Sequence, residues 1–308
     1  MEIALQFVLL ALGFVMLGKG ADWFVEGAAG IAMRFGIPQL VIGLTIVAMG
    51  TSAPEAAVSI AAAVKGNADI TIGNIVGSNI LNILVILGLA ASIVPIAVAR
   101  STVRIEMPFM IAITALLFYQ GRDGSISLAD GGVLMVAFAV YMMYLYTMAM
   151  KSNVDSDLEE PGLPLGRCIL SAVGGLALII AGSNVTVGAA TSIATYAGLS
   201  ERFIGLTIVA LGTSLPELFT SVAAARRGNA DIAIGNIVGS NIFNILFVVG
   251  LSSLIIDIPF ASAFNFDTYV ALAAAVLLWL CVLRTQRLQR WAGALMLVCY
   301  AAYLGYIL

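Results

Sequence analysis

Along the chain, runs of apolar residues about twenty positions long alternate with short polar connections, and that is the length an α-helix needs to cross the hydrocarbon core of a bilayer. Read with the turn signals between them, the runs predict ten helical spans, over 3–30, 38–64, 70–95, 104–120, 128–150, 166–196, 202–225, 232–255, 266–284 and 289–307. The pattern is that of an all-α integral membrane protein. No basic segment with a small-residue cleavage site precedes the first run, so the stretch from Met1 is expected to be kept as the first span.

Two runs carry interruptions that lipid does not tolerate without a reason. "MGTSAPEAAVS", Met49 to Ser59, places a proline and a glutamate near the centre of the second span, and "LGTSLPELFTS", Leu211 to Ser221, does the same in the seventh. Laid over each other at an offset of 162 positions, Gly43–Ala91 and Gly205–Ser253 agree at roughly two thirds of positions without a gap. The chain is a duplication: a first five-helix repeat over 1–150, a linker over 151–165 and a second five-helix repeat over 166–308. Five spans is an odd number, so the second copy enters the membrane from the opposite face. Inverted repeats with helices broken at the midplane are the architecture of secondary transporters, which bind their cargo where the repeats meet.

Charge gives the orientation. With the N-terminus outside, the cytoplasmic connections hold Arg34, Arg100, Arg104, Lys151, Arg167, Arg226, Arg227, Arg284, Arg287 and Arg290, and the outer ones only Lys65, Arg122 and Arg202. The bias predicts a multi-pass protein of the cell (inner or plasma) membrane with both termini extracytoplasmic. The longest polar connection, Lys151 to Arg167, reads as a flexible linker too short to fold by itself.

Composition narrows the chemistry. The chain of 308 residues is 61% hydrophobic and 10% charged, far from a soluble domain, and it contains no histidine. Zinc sites of the HExxH type and Ser-His-Asp triads are thereby excluded. Cys168, Cys281 and Cys299 are scattered and suggest neither a disulfide framework nor a metal site. No cofactor, nucleic acid or obligatory protein partner is implied beyond the bilayer itself.

What remains are oxygens inside the membrane. A carboxylate at the centre of a span costs about 2.5–3.5 kcal/mol on insertion scales, so Glu55 and Glu217 are expected to face a protein-lined cavity. Pro54 and Pro216 lack an amide hydrogen and clash with the carbonyls of Gly50 and Gly212, releasing backbone oxygens beside Thr51, Ser52, Thr213 and Ser214. Ser52-x-x-Glu55 and Ser214-x-x-Glu217 also fit the capping-box pattern, and capping and ligation can coexist. "GNIVGSNILN" and "GNIVGSNIFN" set Asn74, Ser78 and Asn82, and in the other copy Asn236, Ser240 and Asn244, along one helical face. Such residues often only glue helices together; one stripe on each repeat, facing two glutamates, favours ligation. The motif glycines read as close-packing positions, Asp69 and Asp231 as N-caps, and Trp279, Trp291 and Arg284 as interfacial anchors. Carboxylates, hydroxyls and carbonyls are hard donors that suit Ca²⁺ and Na⁺.

These motifs resemble the α1 and α2 repeats of the cation/calcium antiporter superfamily, nearest to its prokaryotic sodium/calcium exchangers. The resemblance implies antiport of Na⁺ against Ca²⁺ by alternating access, with both ions as bound cargo. It implies that Glu55 and Glu217 ligate Ca²⁺ with oxygens of Thr51 and Thr213. Sodium sites would add the Ala48 carbonyl, Ser52 and Ser78 on one side and the Ala210 carbonyl, Ser214 and Ser240 on the other, with Asn82 and Asn244 at the centre. It implies, too, that the long first and sixth spans slide across the other eight. Some relatives, the potassium-dependent branch among them, carry Asp at one central position where this chain has Asn82 and Asn244, so potassium coupling is not expected. Two other readings stand beside this one. Two nearby carboxylates could carry protons in a H⁺/Ca²⁺ antiporter. An intramembrane hydrolase would use the same pair, against the absence of histidine and of a GxGD motif.

Overall fold

The computed structural model describes residues 2–66, 68–151, 164–198 and 210–307, without the side chains of Glu2, Asp69 and Ala210. Most of the linker therefore lies outside the described residues, as does the beginning of the seventh predicted span. Among the described residues, eight helices are long and apolar enough to cross a membrane, and a bent pair, Gln39–Thr51 with Ala53–Val64, makes a ninth.

Two helices exceed what crossing requires. Glu2–Phe35 has 34 residues, several more than the expected 3–30, and Leu165–Tyr196 has 32. At 1.5 Å per residue these are about 51 and 48 Å long, against a hydrocarbon core of about 30 Å. They lie along each other through small residues. Gly13, Gly20 and Gly27 recur every seventh position and face a row containing Gly182, Gly175 and Cys168. The spacing keeps the row on one side of the helix. In lipid, where apolar side chains gain nothing by leaving the solvent, such close backbone approach is what holds helices together. A Cβ on Gly20 would stand 2.9 Å from the Gly175 carbonyl oxygen, and one on Gly182 3.0 Å from the Leu17 amide nitrogen.

The centre of the bundle is made by Ile70–Ile93 and Ala230–Ile255, whose most apolar stretches are 78% and 94% buried. Leu128–Lys151 and Arg290–Ile307, at 17%, form the periphery. Gly235 and Gly239 of the second central helix seat against Gly43 and Leu44, the role predicted for motif glycines.

The structure adds what hydropathy missed. The chain is not purely helical, because two-residue antiparallel ribbons tie connections of one half to those of the other: Ile96–Ala97 pairs with Arg287–Leu288, and Ser125–Ile126 with Ile258–Pro259. Among the described residues, π-helical turns interrupt four spans, at Gly43–Val47, Asn82–Leu87, Thr102–Glu106 and Asn244–Val249. Two of them begin on the central asparagines.

Candidate cation site

The second span breaks in two steps. Gln39–Ile42 passes into the π-turn, where the Thr45 hydroxyl takes the Val41 carbonyl at 2.6 Å and so competes with the helix's own ladder. Ala48–Thr51 follows, the chain leaves helical geometry at Ser52 (φ −82°, ψ 7°), and Ala53–Val64 departs at 52° with Pro54 in its first turn. The second copy repeats this with Ala210–Thr213, Ser214 and Leu215–Arg226.

Ser52 and Ser214 stand at the cap positions, yet neither caps its helix. The capping-box reading is corrected: Ser52 Oγ donates to Glu217 Oε1 at 2.7 Å, and Ser214 Oγ to Glu55 Oε1 at 3.3 Å. A buried carboxylate is a stronger acceptor than the hydroxyl's local alternatives, so each serine serves the opposite repeat. Thr51 and Thr213 also come within reach of Glu217 and Glu55, respectively. Both glutamates are 1% exposed.

Amides enclose the carboxylates. Asn74 Nδ2 donates to the Glu55 carbonyl at 3.2 Å and to Ser59 Oγ at 2.9 Å; Asn236 Nδ2 donates to the Glu217 carbonyl at 3.4 Å and to Ser221 Oγ at 2.9 Å. Thr51 Oγ1 reaches Asn236 Oδ1 at 2.9 Å. Between the central helices four asparagines form a closed set. Asn82 Nδ2 donates to Asn241 Oδ1 at 2.9 Å and Asn244 Nδ2 to Asn79 Oδ1 at 3.1 Å, while Asn79 and Asn241 each donate to the other's carbonyl at 3.3 and 3.2 Å. Gluing thus takes up only one end of each central side chain. The amide nitrogens of Asn82 and Asn244 hold the helices together, and their Oδ1 atoms are left over.

Those leftovers define the site. Glu55 Oε2, Glu217 Oε2, Asn82 Oδ1 and Asn244 Oδ1 are all buried without a hydrogen-bond partner. An unmatched buried oxygen costs about 1–3 kcal/mol, more when charged, and a set this symmetrical is not a packing accident. Two negative charges and two amide oxygens are donors for a hard cation. Among the described residues no group of three or more His, Cys, Asp or Glu is placed to hold a metal, so the charge available is that of the pair.

Of the remaining expected residues, Ala48 and Ser240 are brought together. The Ala48 carbonyl accepts from Thr51 Oγ1 at 3.3 Å and from Ser240 Oγ at 3.4 Å. Ser78 is buried, and Ala210 opens its short helix. Sequence reasoning missed Asn79, Asn241, Ser59 and Ser221. Each pair is identical in both repeats, but so are many packing residues, and that signal alone could not single them out. One lesser expectation fails. Helix Asp69–Leu81 has Ala68 at its cap position, and Asp231 lies inside Ala230–Phe243, whose cap position is held by Asn229, so neither aspartate is an N-cap. Trp279 donates its indole N–H to the Val103 carbonyl at 2.8 Å and so binds two helices together.

Comparison with known proteins identifies the family. The sodium/calcium exchanger protein family matches residues 5–147 and again 168–308. The chain is 40% identical to the putative antiporter CaxA of Alkalimonas amylolytica, over 98% of each chain. It is 33% identical to the sodium/calcium exchanger MaX1 of Methanosarcina acetivorans, again over 98% of each. Among solved structures, the sodium-calcium exchanger NCX_Mj soaked with zero Na⁺ and Ca²⁺ superposes with a TM-score of 0.87 at 33% identity, over 99% of this chain and 100% of that one. Matched in both halves and along almost its whole length, the chain belongs to the sodium/calcium exchanger protein family.

Proposed function

We propose that the protein exchanges Na⁺ for Ca²⁺ across the membrane by alternating access, through a site centred on Glu55 and Glu217. The observation that carries this reading is the set of four buried, unpartnered oxygens contributed equally by the two halves. The pair of carboxylates balances one Ca²⁺. Bound Na⁺ ions would need the same two charges, so the cargoes compete, and a carboxylate pair left bare inside a low-dielectric bundle opposes movement. Exchange follows when only the neutralised site can change face. In this reading Thr51, Thr213, Ser52, Ser214, the Ala48 and Ala210 carbonyls, Ser78, Ser240, Asn82 and Asn244 supply the neutral ligands.

The ribbons support ten crossings and the inverted arrangement. Ile96–Ala97 and Arg287–Leu288 must lie on one face to pair, which requires an even number of crossings between them. Five full-length helices lie in between, so the segment ending in Leu215–Arg226 has to supply the sixth. The same ribbon gathers Arg100 and Arg104 with Arg284, Arg287 and Arg290, which supports a cytoplasmic assignment for that face and extracytoplasmic termini.

An imposed Na⁺ gradient across proteoliposomes is expected to drive Ca²⁺ uptake at fixed pH. Uptake driven by a pH gradient alone, with no Na⁺ response, would establish the proton-coupled alternative instead.

A further inference from the structure

Among the described residues, one carboxylate outside the central site is fully buried in the bundle. Glu106 is 0% exposed and closes the π-turn Thr102–Glu106, one turn inside the span that runs from Thr102 to Asp123. The Tyr144 hydroxyl, from Leu128–Lys151, donates to Glu106 Oε1. Its other oxygen, Oε2, has no partner, and the Thr102 and Tyr141 hydroxyls beside it are likewise buried and unpartnered. Thr102 faces the carboxylate without completing a bond of ordinary geometry. No arginine or lysine among the described residues forms an ion pair with Glu106, and Arg104 on the same turn points outward.

The local backbone adds donors. Pro108 has no amide hydrogen and its ring conflicts with the carbonyl four residues back, that of Arg104. The Val103 carbonyl is displaced from the helix ladder far enough to accept the Trp279 indole. A breaker, a carboxylate, hydroxyls and freed carbonyls are the components of the central site in smaller number. They occur only once: at the repeat offset, Thr102, Glu106 and Pro108 correspond to Phe264, Thr268 and Val270. The second half does have a tyrosine on a carboxylate, Tyr303 on Asp267 at 2.8 Å, but Asp267 is partly exposed and leaves no buried oxygen unmatched.

We infer that Glu106, Thr102, Tyr141 and Tyr144 form a second cation site, separate from the transport site, that takes a small monovalent cation such as Na⁺. A single negative charge decides the valence. Na⁺ makes the cluster neutral, whereas a divalent ion would leave a net positive charge within the bundle. Oxygen donors of this kind suit a hard cation, and the three unmatched buried oxygens are what such an ion would satisfy. The position one turn from the span's end, about 6 Å by helical rise, leaves a short route from the aqueous phase.

Trp279 is a built-in reporter because its indole is bonded to the π-turn itself. The test uses full-length protein with Trp23→Phe and Trp291→Phe, so that Trp279 alone emits, and with Glu55→Gln and Glu217→Gln, which remove the central charges. Na⁺ is titrated against choline at constant ionic strength and pH. A saturable change in Trp279 emission is expected, and it should vanish in Glu106→Gln. Thr102→Val, which removes one neutral donor, should raise the Na⁺ midpoint by roughly tenfold, and it decides the matter if Glu106→Gln does not elute as a monodisperse protein. Emission that ignores Na⁺, as expected of a buried water or of a site that answers only to protons, overturns the inference. So does a Na⁺ response that is the same with and without Glu106, or with Thr102→Val in its place.

Discussion

Ser52 of the first broken span donates to Glu217 of the second at 2.7 Å, and Ser214 returns the contact to Glu55 at 3.3 Å. Each carboxylate is therefore held by the half of the chain to which it does not belong. The shorter bond is the stronger one, so Ser52→Ala is expected to weaken cation binding more than Ser214→Ala. Loss of a hydrogen bond to a charged group, about 1.5–3 kcal/mol, corresponds to a rise of roughly ten- to a hundredfold in the apparent Na⁺ or Ca²⁺ constant. Ion titrations of exchange by the two single variants check the order, and equal effects would count against it.

Replacing either glutamate by glutamine keeps the shape and removes the charge. Glu55→Gln and Glu217→Gln are each expected to lower Ca²⁺ exchange by about two to three orders of magnitude, the scale of 3–5 kcal/mol for breaking a buried charge assembly. Both variants should still insert and elute as the parent does. Normal exchange by either would remove that residue from the site.

The asparagine set predicts coupling between residues far apart in sequence. Asn82→Ala and Asn241→Ala each strand a buried amide and are expected to cost about 1–3 kcal/mol of stability. Because Asn82 Nδ2 and Asn241 Oδ1 share one bond, the double variant should lose less than the sum of the singles, by about 0.5–3 kcal/mol. Thermal unfolding in detergent for the four proteins of the cycle measures it, and strict additivity would rule out the bond.

Much of this site is legible in the sequence, and what is not has a common physical cause. Glu55, Glu217 and their threonines and serines stand out because charge and proline inside an apolar run are expensive at that position wherever the chain folds. Asn79 and Asn241 do not stand out, because their importance comes from a neighbour 162 positions away. Periodicity describes one helix, not which two helices touch. The π-turns are hidden for a related reason. One extra residue in a turn leaves no mark on composition, yet it rotates every following side chain, and the turns at Asn82 and Asn244 reset the faces of the central helices. The capping-box reading of Ser52 and Ser214, made from local pattern, likewise chose the nearest backbone amide over a carboxylate from the other repeat.

An ion pair is expected to bias the two faces. Arg227 bonds Asp22 at 3.3 Å and Glu26 at 3.2 Å, linking the first long helix to the end of Leu215–Arg226, and Phe14 meets Phe219 nearer the start of that helix. The corresponding positions in the other repeat are Lys65, Asn184 and Gly188, which lack the acids. The partners are more than a third exposed, so each pair is worth only about 0.2–1 kcal/mol. Arg227→Gln should shift the apparent Ca²⁺ affinity by roughly two- to fivefold at low ionic strength and by less at high ionic strength, measured with choline as the added salt. A shift that grows with salt would contradict an electrostatic origin.

Glycine placement on the first helix can be separated from glycine content. A Cβ at Gly18 meets nothing within 4 Å, whereas one at Gly20 collides with Leu165–Tyr196. Gly20→Ala is expected to lower stability by about 1–3 kcal/mol and Gly18→Ala to leave it unchanged or slightly raised. Unfolding midpoints of the two variants compare them directly.

That backbone-to-backbone contact also constrains how access can change. Two helices seated this closely cannot shear past each other without driving Cα atoms and carbonyls into contact, so any movement of Glu2–Phe35 is expected to take Leu165–Tyr196 with it. One comes from each half of the duplication, and both touch the half-helix Leu215–Arg226 that carries Glu217. In the exchange proposed above, a displacement of either long helix would carry the other with it, so access on the two faces would change in one step and not in two independent ones.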